Sequence, residues 1–148
     1  MSDNWIIFVP DKPDWVPNDV IIGQLVSLAE AEFPDADEVK AETHDRVMFI
    51  DPGSNFETVS CPHCQSEIMD WWQNEMEKFE ERDELVVQTL PCCGASSSLN
   101  DLNYDWPSAF GRFQLDVMNP NVSDAPKAVV EALETIAAVV FRVVRTHI

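Results

Sequence analysis

Residues 113–148, with the sequence FQLDVMNPNVSDAPKAVVEALETIAAVVFRVVRTHI, decide the fold class. At the start of this stretch apolar residues alternate with polar ones over residues 113–117, which is typical of a half-buried strand. A helix should follow, with Ser123 or Asp124 as its N-cap. The β-branched residues in 139–148 predict a final strand. The apolar stripe of the helix consists of Val129, Leu133 and Ile136.

The same order of strand, helix and strand occurs in the first third of the chain. Residues 5–9 form a short apolar run followed by proline, which predicts a buried strand. Asn18 is the expected N-cap of a helix that ends at Pro34. Strand-like runs follow at 39–43 and 47–50, with a turn expected between them. Two such units together predict an α+β fold, specifically a ferredoxin-like β-α-β / β-α-β sandwich.

Residues 57–105 separate the two strand–helix–strand units and contain all four cysteines. We expect it to be a zinc-ribbon-like unit inserted into a single domain that spans residues 1–148. Neither strand–helix–strand unit is long enough to enclose a core of its own. Within the insert, a helix should begin at residue 65 or 66, and a strand over 85–90 should return antiparallel over 95–99.

The cysteines form two pairs, Cys61 with Cys64 and Cys92 with Cys93. The C-x-x-C spacing of the first pair lets a tight turn aim two thiolates at one ion. Residues 90–94, LPCCG, match the zinc-knuckle pattern C-P-x-C-G except that leucine replaces the first cysteine. Cys93 then takes the usual second ligand position, and Cys92 supplies the fourth ligand. We therefore predict one tetrahedral Zn²⁺ site built from four thiolates.

Three other interpretations of the cysteines remain open at this point. The four thiols could be reduced structural residues without a metal. A site of three cysteines could be completed by His63, His44 or His147. The motif Cys-Pro-His-Cys before a helix also resembles the DsbA-type thioredoxin-fold oxidoreductases, which implies Cys61 as a nucleophile at a helix N-terminus. That resemblance covers four residues, and the stretch before them is a poor central strand.

A second resemblance extends over about residues 58–148. It rests on segments 91–94 and 98–107, on Phe110 and Phe113, and on the pair Asn119-Pro120. These features are similar to those of a group of small bacterial proteins with a zinc-ribbon-like C-x-x-C and P-C-C-G pair. The resemblance implies a shared metal site but no particular reaction.

The chain is strongly acidic, with 27 Asp+Glu against 9 Lys+Arg and a net charge of −18. The excess lies in residues 1–105, because residues 106–148 are balanced. Such a charge argues against direct binding of nucleic acid or anionic membranes. It fits either a solvated surface that keeps the protein soluble or a field that attracts a basic protein partner. There is no apolar run of transmembrane length and no signal-peptide pattern, so we expect a cytoplasmic protein.

Aromatic and acidic side chains in and just after the insert form the candidate partner-binding surface. They are Trp71, Trp72, Asp101, Tyr104, Asp105 and Trp106. The alternative is that the aromatic rings, together with Phe110, are core residues of a small metal unit.

The functional prediction is a zinc-stabilised protein-binding module, with a binding role favoured over an enzymatic one. The sequence contains no Walker loop, G-x-G-x-x-G or G-x-S-x-G motif. In a bacterium, such a chain suits an immunity protein that inhibits a basic toxin or enzyme. The alternatives are a thiol-disulfide oxidoreductase that uses Cys61 and Cys64, and a zinc-ribbon transcription-associated factor.

Overall fold

The computed structural model describes residues 2–82 and 84–148. Within these residues it has three helices, one four-stranded sheet and two two-stranded sheets. The elements are β1 (Asn4–Pro10), α1 (Asp19–Glu32), β2 (Glu38–Ile50), β3 (Val59–Ser60), α2 (Met69–Arg82), β4 (Gln88–Thr89), β5 (Ser96–Ser97), a 3₁₀ turn (Leu99–Asp101), β6 (Asn103–Tyr104), β7 (Ala109–Met118), α3 (Lys127–Ala137) and β8 (Phe141–His147). Across the described part of the chain, none of the helices has the length and apolarity needed to cross a membrane.

The four-stranded sheet has the order β2-β7-β1-β8, and each neighbouring pair is antiparallel. Helices α1 and α3 pack on one of its faces, where the alternating side chains of β7 meet them. That face is buried because every second residue of β7 is apolar. The main cluster includes Ile6, Phe8, Leu25, Ala29, Phe113, Leu115, Val117, Val129 and Leu133. The prediction of an α+β fold is confirmed.

One of the two predicted helix caps is confirmed. The Oδ1 of Asn18 accepts a hydrogen bond from the backbone N–H of Ile21 at 2.9 Å, which satisfies one free donor at the start of α1. The predicted cap of α3 is wrong, since Pro126 precedes its first residue. The Oδ1 of Asp124 accepts from the N–H of Ala125 instead, at 2.8 Å.

The turn expected between the two runs of β2 is also wrong. The strand continues from Glu38 to Ile50, and its register against β7 shifts between Thr43 and Met48. The extra residues form a bulge or a similar irregularity within the strand, and His44, Asp45 and Arg46 are polar as the residues of a turn would be. Beyond the bulge, Phe49 packs with the insert, whereas Met48 contacts the cluster on the opposite side of the strand.

The insert contains less regular structure than the sequence predicted. Helix α2 begins at Met69 and not at residue 65 or 66. The strand expected over 85–90 shortens to β4, which pairs with β5 over two residues on each side. The side chain of Val87 is 74% exposed, so the apolar run before β4 is not a buried strand.

The insert is held against the sheet by a shared apolar cluster. From the insert it contains Val59, Cys61, Ile68, Trp72, Phe79, Leu90, Leu99 and Leu102, and from the sheet Val47 and Phe110. Phe110 is fully buried, and its ring lies 5.1 Å from that of Phe79 and 4.9 Å from that of Phe49. The cysteine-bearing segment therefore packs on the end of β2 and the start of β7.

Gly53 should be intolerant of any side chain. Its φ is +62°, and a Cβ at this position would lie 2.3 Å from the backbone oxygen of His147. We expect Gly53→Ala to lower the free energy of unfolding by about 2 kcal/mol, because strain and a backbone clash add. Gly23→Ala is the control, since nothing lies within 4 Å of its Cβ in α1. That change should stabilise the protein by about 0.5–1 kcal/mol. Urea unfolding that gives both variants the same stability would contradict the prediction.

Candidate metal centre

The first cysteine turn follows β3. The backbone N–H of Cys61 donates to the carbonyl of Ser66 at 2.9 Å, and the N–H of Gln65 donates to the carbonyl of Cys61 at 3.0 Å. Gln65 has a φ of +63°, which lets the chain reverse direction. The N–H groups of His63 and Cys64 lie 3.3 and 3.4 Å from the Sγ of Cys61. The turn thus supplies two donors to one sulfur.

The second cysteine turn joins β4 to β5 with the same backbone pattern. The N–H of Leu90 donates to the carbonyl of Ala95 at 2.8 Å, and the N–H of Gly94 donates to the carbonyl of Leu90 at 3.1 Å. Gly94 has a φ of +75° and takes the role that Gln65 has in the first turn. The two turns therefore correspond residue by residue.

The correspondence between the two turns explains why Cys92 and Cys93 are adjacent in sequence. Leu90 takes the place of the first cysteine and is buried as that cysteine is. Cys93 takes the place of the second cysteine, and Cys92 takes the place of the histidine between them. A turn of this shape places one thiol of the pair at the usual ligand position and brings the other from the middle of the turn.

The four cysteine sulfurs converge. The Sγ atoms of Cys61, Cys64, Cys92 and Cys93 all lie within 4.8 Å of one another, and those of Cys61 and Cys93 are 3.7 Å apart. A tetrahedral ion with Zn–S bonds of about 2.3 Å requires sulfurs about 3.8 Å apart. The sulfur positions therefore fit a metal ion of that size, and the four cysteines could hold one. Cys61 is buried, and the other three are exposed.

The histidines considered as ligands lie outside this group. Within residues 2–82 and 84–148, the group of close metal-ligating atoms contains four sulfurs and no histidine nitrogen. The Nε2 of His44 lies 2.7 Å from the Oε1 of Gln114, and the Nδ1 of His147 lies 2.7 Å from the Oδ1 of Asn4. His63 is exposed. The geometry favours Cys92 over a histidine as the fourth ligand.

The four thiols differ in acidity. Burial raises the pKa of Cys61, but two backbone N–H groups outweigh it and the net pKa is lowered. Hydrogen bonds from Ser66, first from its hydroxyl and then from its backbone, lower the pKa of Cys64 to about 6. Burial and the neighbouring thiols raise the pKa of Cys92 to about 12. A backbone hydrogen bond lowers the pKa of Cys93, yet burial and the neighbouring thiols raise it overall. Four adjacent thiolates need a cation to offset their mutual repulsion.

The helix N-terminus that the resemblance to DsbA-type enzymes implies does not occur at Cys61. Cys61 is fully buried, and α2 begins only at Met69. The thiol therefore does not lie at a helix N-terminus, where the helix dipole would stabilise a thiolate nucleophile. The hydrogen bonds that lower its pKa come from the turn itself.

Two of the predicted partner-binding residues, Trp72 and Tyr104, pack into the apolar cluster of the insert. Trp72 is 8% exposed, and its Nε1 donates to the hydroxyl of Tyr104 at 3.1 Å. The Tyr104 hydroxyl donates in turn to the carbonyl of Leu99, and burial raises its pKa. Trp71 is half-buried against the same cluster. These rings follow the alternative interpretation and form the core of the insert.

The remaining members of that predicted group have different neighbours. Asp101 pairs with Arg142, with 3.2 Å between Oδ1 and Nη2. Trp106 lies under the guanidinium of Arg145, whose central carbon is 4.9 Å from the ring centroid. Asp105 is exposed between them in the chain. The predicted group therefore has members in the core, in a salt bridge and beside Arg145, and its role in partner binding stays a prediction.

A junction that the sequence did not predict ties the insert to the sheet. Arg142 of β8 donates from Nη1 to the Oδ1 of Asn100 at 3.0 Å and also to its backbone carbonyl. Its Nε donates to the Oδ1 of Asp11 at 2.7 Å. The buried Asn100 also accepts from the N–H of Phe110 at 3.0 Å. The only sequence signal was an arginine within an apolar strand.

Comparisons with protein-family models, with curated proteins and with solved structures found no match to this chain.

Proposed function

We propose that Cys61, Cys64, Cys92 and Cys93 bind one Zn²⁺ ion and that its role is structural. The observation that carries this proposal is the convergence of the four sulfurs within 4.8 Å of one another. Four thiolates in tetrahedral spacing suit Zn²⁺. A site with four protein ligands leaves no open position for a substrate, which favours a structural over a catalytic role.

Among the described residues, no strand pair joins the two cysteine turns, and their link is the apolar cluster that contains Cys61 and Leu90. The two sheets of the insert are β3 with β6 and β4 with β5, and each strand has two residues. Ladders of this length are weak, since isolated hairpins are marginal even with longer strands. A shared ion would cross-link the turns and add its binding free energy to folding.

The finer fold assignment forms part of the same proposal. Strand order β2-β7-β1-β8, with α1 and α3 on one face, supports a ferredoxin-like sandwich. The paired cysteine turns support a zinc-ribbon-like insert at residues 57–105. The cluster shared by the insert and the sheet supports one domain over residues 1–148.

We further propose that this chain is a cytoplasmic binding module for a basic protein, as an immunity-type inhibitor of a bacterial toxin or enzyme would be. The support is the net charge of −18. Several cationic side chains are already paired with carboxylates, namely Lys40, Lys78, Lys127, Arg142 and Arg145. The unpaired surface charge is therefore mostly negative, which would speed encounter with a cationic partner.

The two alternative functions have less support. A thiol-disulfide oxidoreductase needs an accessible first cysteine, and Cys61 is buried. A transcription-associated zinc ribbon that contacts nucleic acid needs a basic surface, and the charge has the opposite sign.

Metal analysis of the purified protein, combined with thiol counting, tests the zinc site. We expect one Zn²⁺ per chain and thiols that react only after a strong chelator removes the ion. Protein that is metal-free with a reactive, easily oxidised Cys61 and Cys64 pair would support the oxidoreductase instead. Tightly bound iron would contradict the choice of ion but not the site.

A pull-down from host lysate at low and at high salt tests the binding role. We expect a stoichiometric protein with a pI above about 9 that dissociates as salt rises. Recovery of no stoichiometric partner at low salt would contradict this role and leave the metal site unaffected.

A further inference from the structure

We infer that a groove between β1, β8 and the residues that flank the insert binds a small organic carboxylate that carries a flat apolar group. In this proposal the guanidinium of Arg145 holds the carboxylate, and the rings of Trp5 and Trp106 contact the apolar part. The inference depends on neither the zinc site nor the basic partner, because none of these residues belongs to the cysteine group.

The groove has the dimensions of a ligand site. Its volume is about 830 Å³, within the usual range of about 300–1,000 Å³ for small-molecule sites. One wall is the start of β1, a second is the loop over residues 119–123, and a third is the end of β8. Asn55 and Trp106, which flank the insert on either side, complete the lining. The groove thus lies where the sheet, the loop and the two ends of the insert come together.

The charge of the groove differs from that of the whole chain. Of the described residues that line it, none is Asp or Glu, although the chain has a net charge of −18. Arg145 supplies a positive charge, and His147 lies beside it. Among the lining residues, Arg145 is therefore the group that would attract an anion, in competition with the nearby carboxylate of Asp124.

The backbone at Trp106 is held in an unfavourable conformation. Its φ is +63°, which is rare for a bulky residue. Pro107 follows, and a proline pushes the residue before it towards extended backbone. The hydroxyl of Ser108 donates to the carbonyl of Trp106 at 3.3 Å and helps to hold this conformation. Strain of this kind concentrates at ligand sites, where the surrounding structure fixes a side chain for use.

The strained conformation places the indole of Trp106 beneath Arg145. The guanidinium carbon is 4.9 Å from the ring centroid, which is a cation–π distance. Its Nη1 lies 3.5 Å from the Oδ2 of Asp124. Tight charge-assisted bonds are about 2.7–2.9 Å long. The N–H groups of Arg145 therefore bind the carboxylate of Asp124 only loosely. A ligand carboxylate could take the place of Asp124.

A carboxylate is favoured over a phosphate because of the charge balance. One guanidinium neutralises one negative charge, and its fork of N–H groups matches the two oxygens of a carboxylate. A dianionic phosphate would leave excess negative charge next to Asp124 in an already acidic chain. The apolar portion of the ligand follows from the indole rings of Trp5 and Trp106 in the wall.

The test uses isotope-labelled full-length protein and phenylacetate as the probe, observed by NMR at the indole N–H of Trp106 and Trp5. We expect a saturable shift with a Kd of about 1 mM, which is ordinary for a ligand of this size. The cationic analogue 2-phenylethylamine should cause no saturable shift. Arg145→Met should weaken phenylacetate binding by about tenfold or more. Asp124→Asn should tighten it by about threefold, because it removes a competing carboxylate.

Lys127→Met is the matched control, since it removes an exposed cation away from the groove and should leave the Kd unchanged. Three results would overturn the inference. They are no saturable shift with phenylacetate, equal binding of 2-phenylethylamine, or the same Kd in folded Arg145→Met as in the control. If Arg145→Met does not fold, the two probes on the unmodified protein and the Asp124→Asn variant still decide the outcome.

Discussion

Cys64→Ser should abolish stoichiometric zinc binding and remove much of the stability of the protein. Structural Zn²⁺ sites bind with apparent free energies of about 10–16 kcal/mol, and that binding energy is folding energy. The net free energy of unfolding of a domain is only about 5–15 kcal/mol. Losing even a fraction of the metal-binding free energy would therefore remove much of the stability. Thermal unfolding together with metal analysis measures both effects. An unchanged melting temperature would contradict a structural role for the site.

His63→Ser is the matched control for this change. His63 lies in the same turn and is exposed, and its nitrogens are outside the sulfur group. The variant should keep one Zn²⁺ per chain and nearly the original melting temperature. Cys92→Ser distinguishes a site of four cysteines from a site of three cysteines and a histidine. It should lower zinc affinity only if Cys92 is the fourth ligand. If His63→Ser loses zinc and Cys92→Ser does not, the ligand set is three cysteines and a histidine.

The main sheet could be predicted because its signals are local. Strand β7 alternates apolar and polar residues, and α1 carries its cap residue Asn18 at the expected position. The bulge in β2 could not be predicted in the same way. A few polar residues between two apolar runs fit either a turn or a bulge, and only pairing with a distant strand decides between them.

The cysteine turns could also be predicted, because the residues that shape each turn are adjacent in sequence. The comparison of LPCCG with a zinc knuckle placed Leu90 at the first ligand position, and the backbone hydrogen bonds of the two turns agree with it. The roles of Trp72 and Tyr104 could not be predicted. An aromatic residue in a small unit suits a core or a binding surface equally well until its neighbours are known.

Arg142→Met should lower the free energy of unfolding by about 3 kcal/mol, because one side chain joins three separate parts of the chain. Its partners are Asp11 from the loop after β1 and the pair Asn100 and Asp101 from the insert. Methionine keeps the aliphatic stem but leaves the carbonyl of Asn100 without this donor. Arg142→Lys should recover little, since an ammonium cannot reach all of these acceptors in one geometry.

The comparison with Lys127→Met separates this junction from an ordinary surface ion pair. The Nζ of Lys127 lies 3.7 Å from the Oε1 of Glu131, and both side chains are well exposed, so its loss should cost about 0.5 kcal/mol or less. Because Arg142 orients the side chain of Asn100, its removal should also speed hydrogen exchange at the N–H of Phe110, which Asn100 accepts. Urea unfolding in the presence of Zn²⁺ measures the first effect, and native-state exchange measures the second. Equal stability of the Arg142→Met and Lys127→Met variants would mean that the apolar cluster alone holds the insert on the sheet.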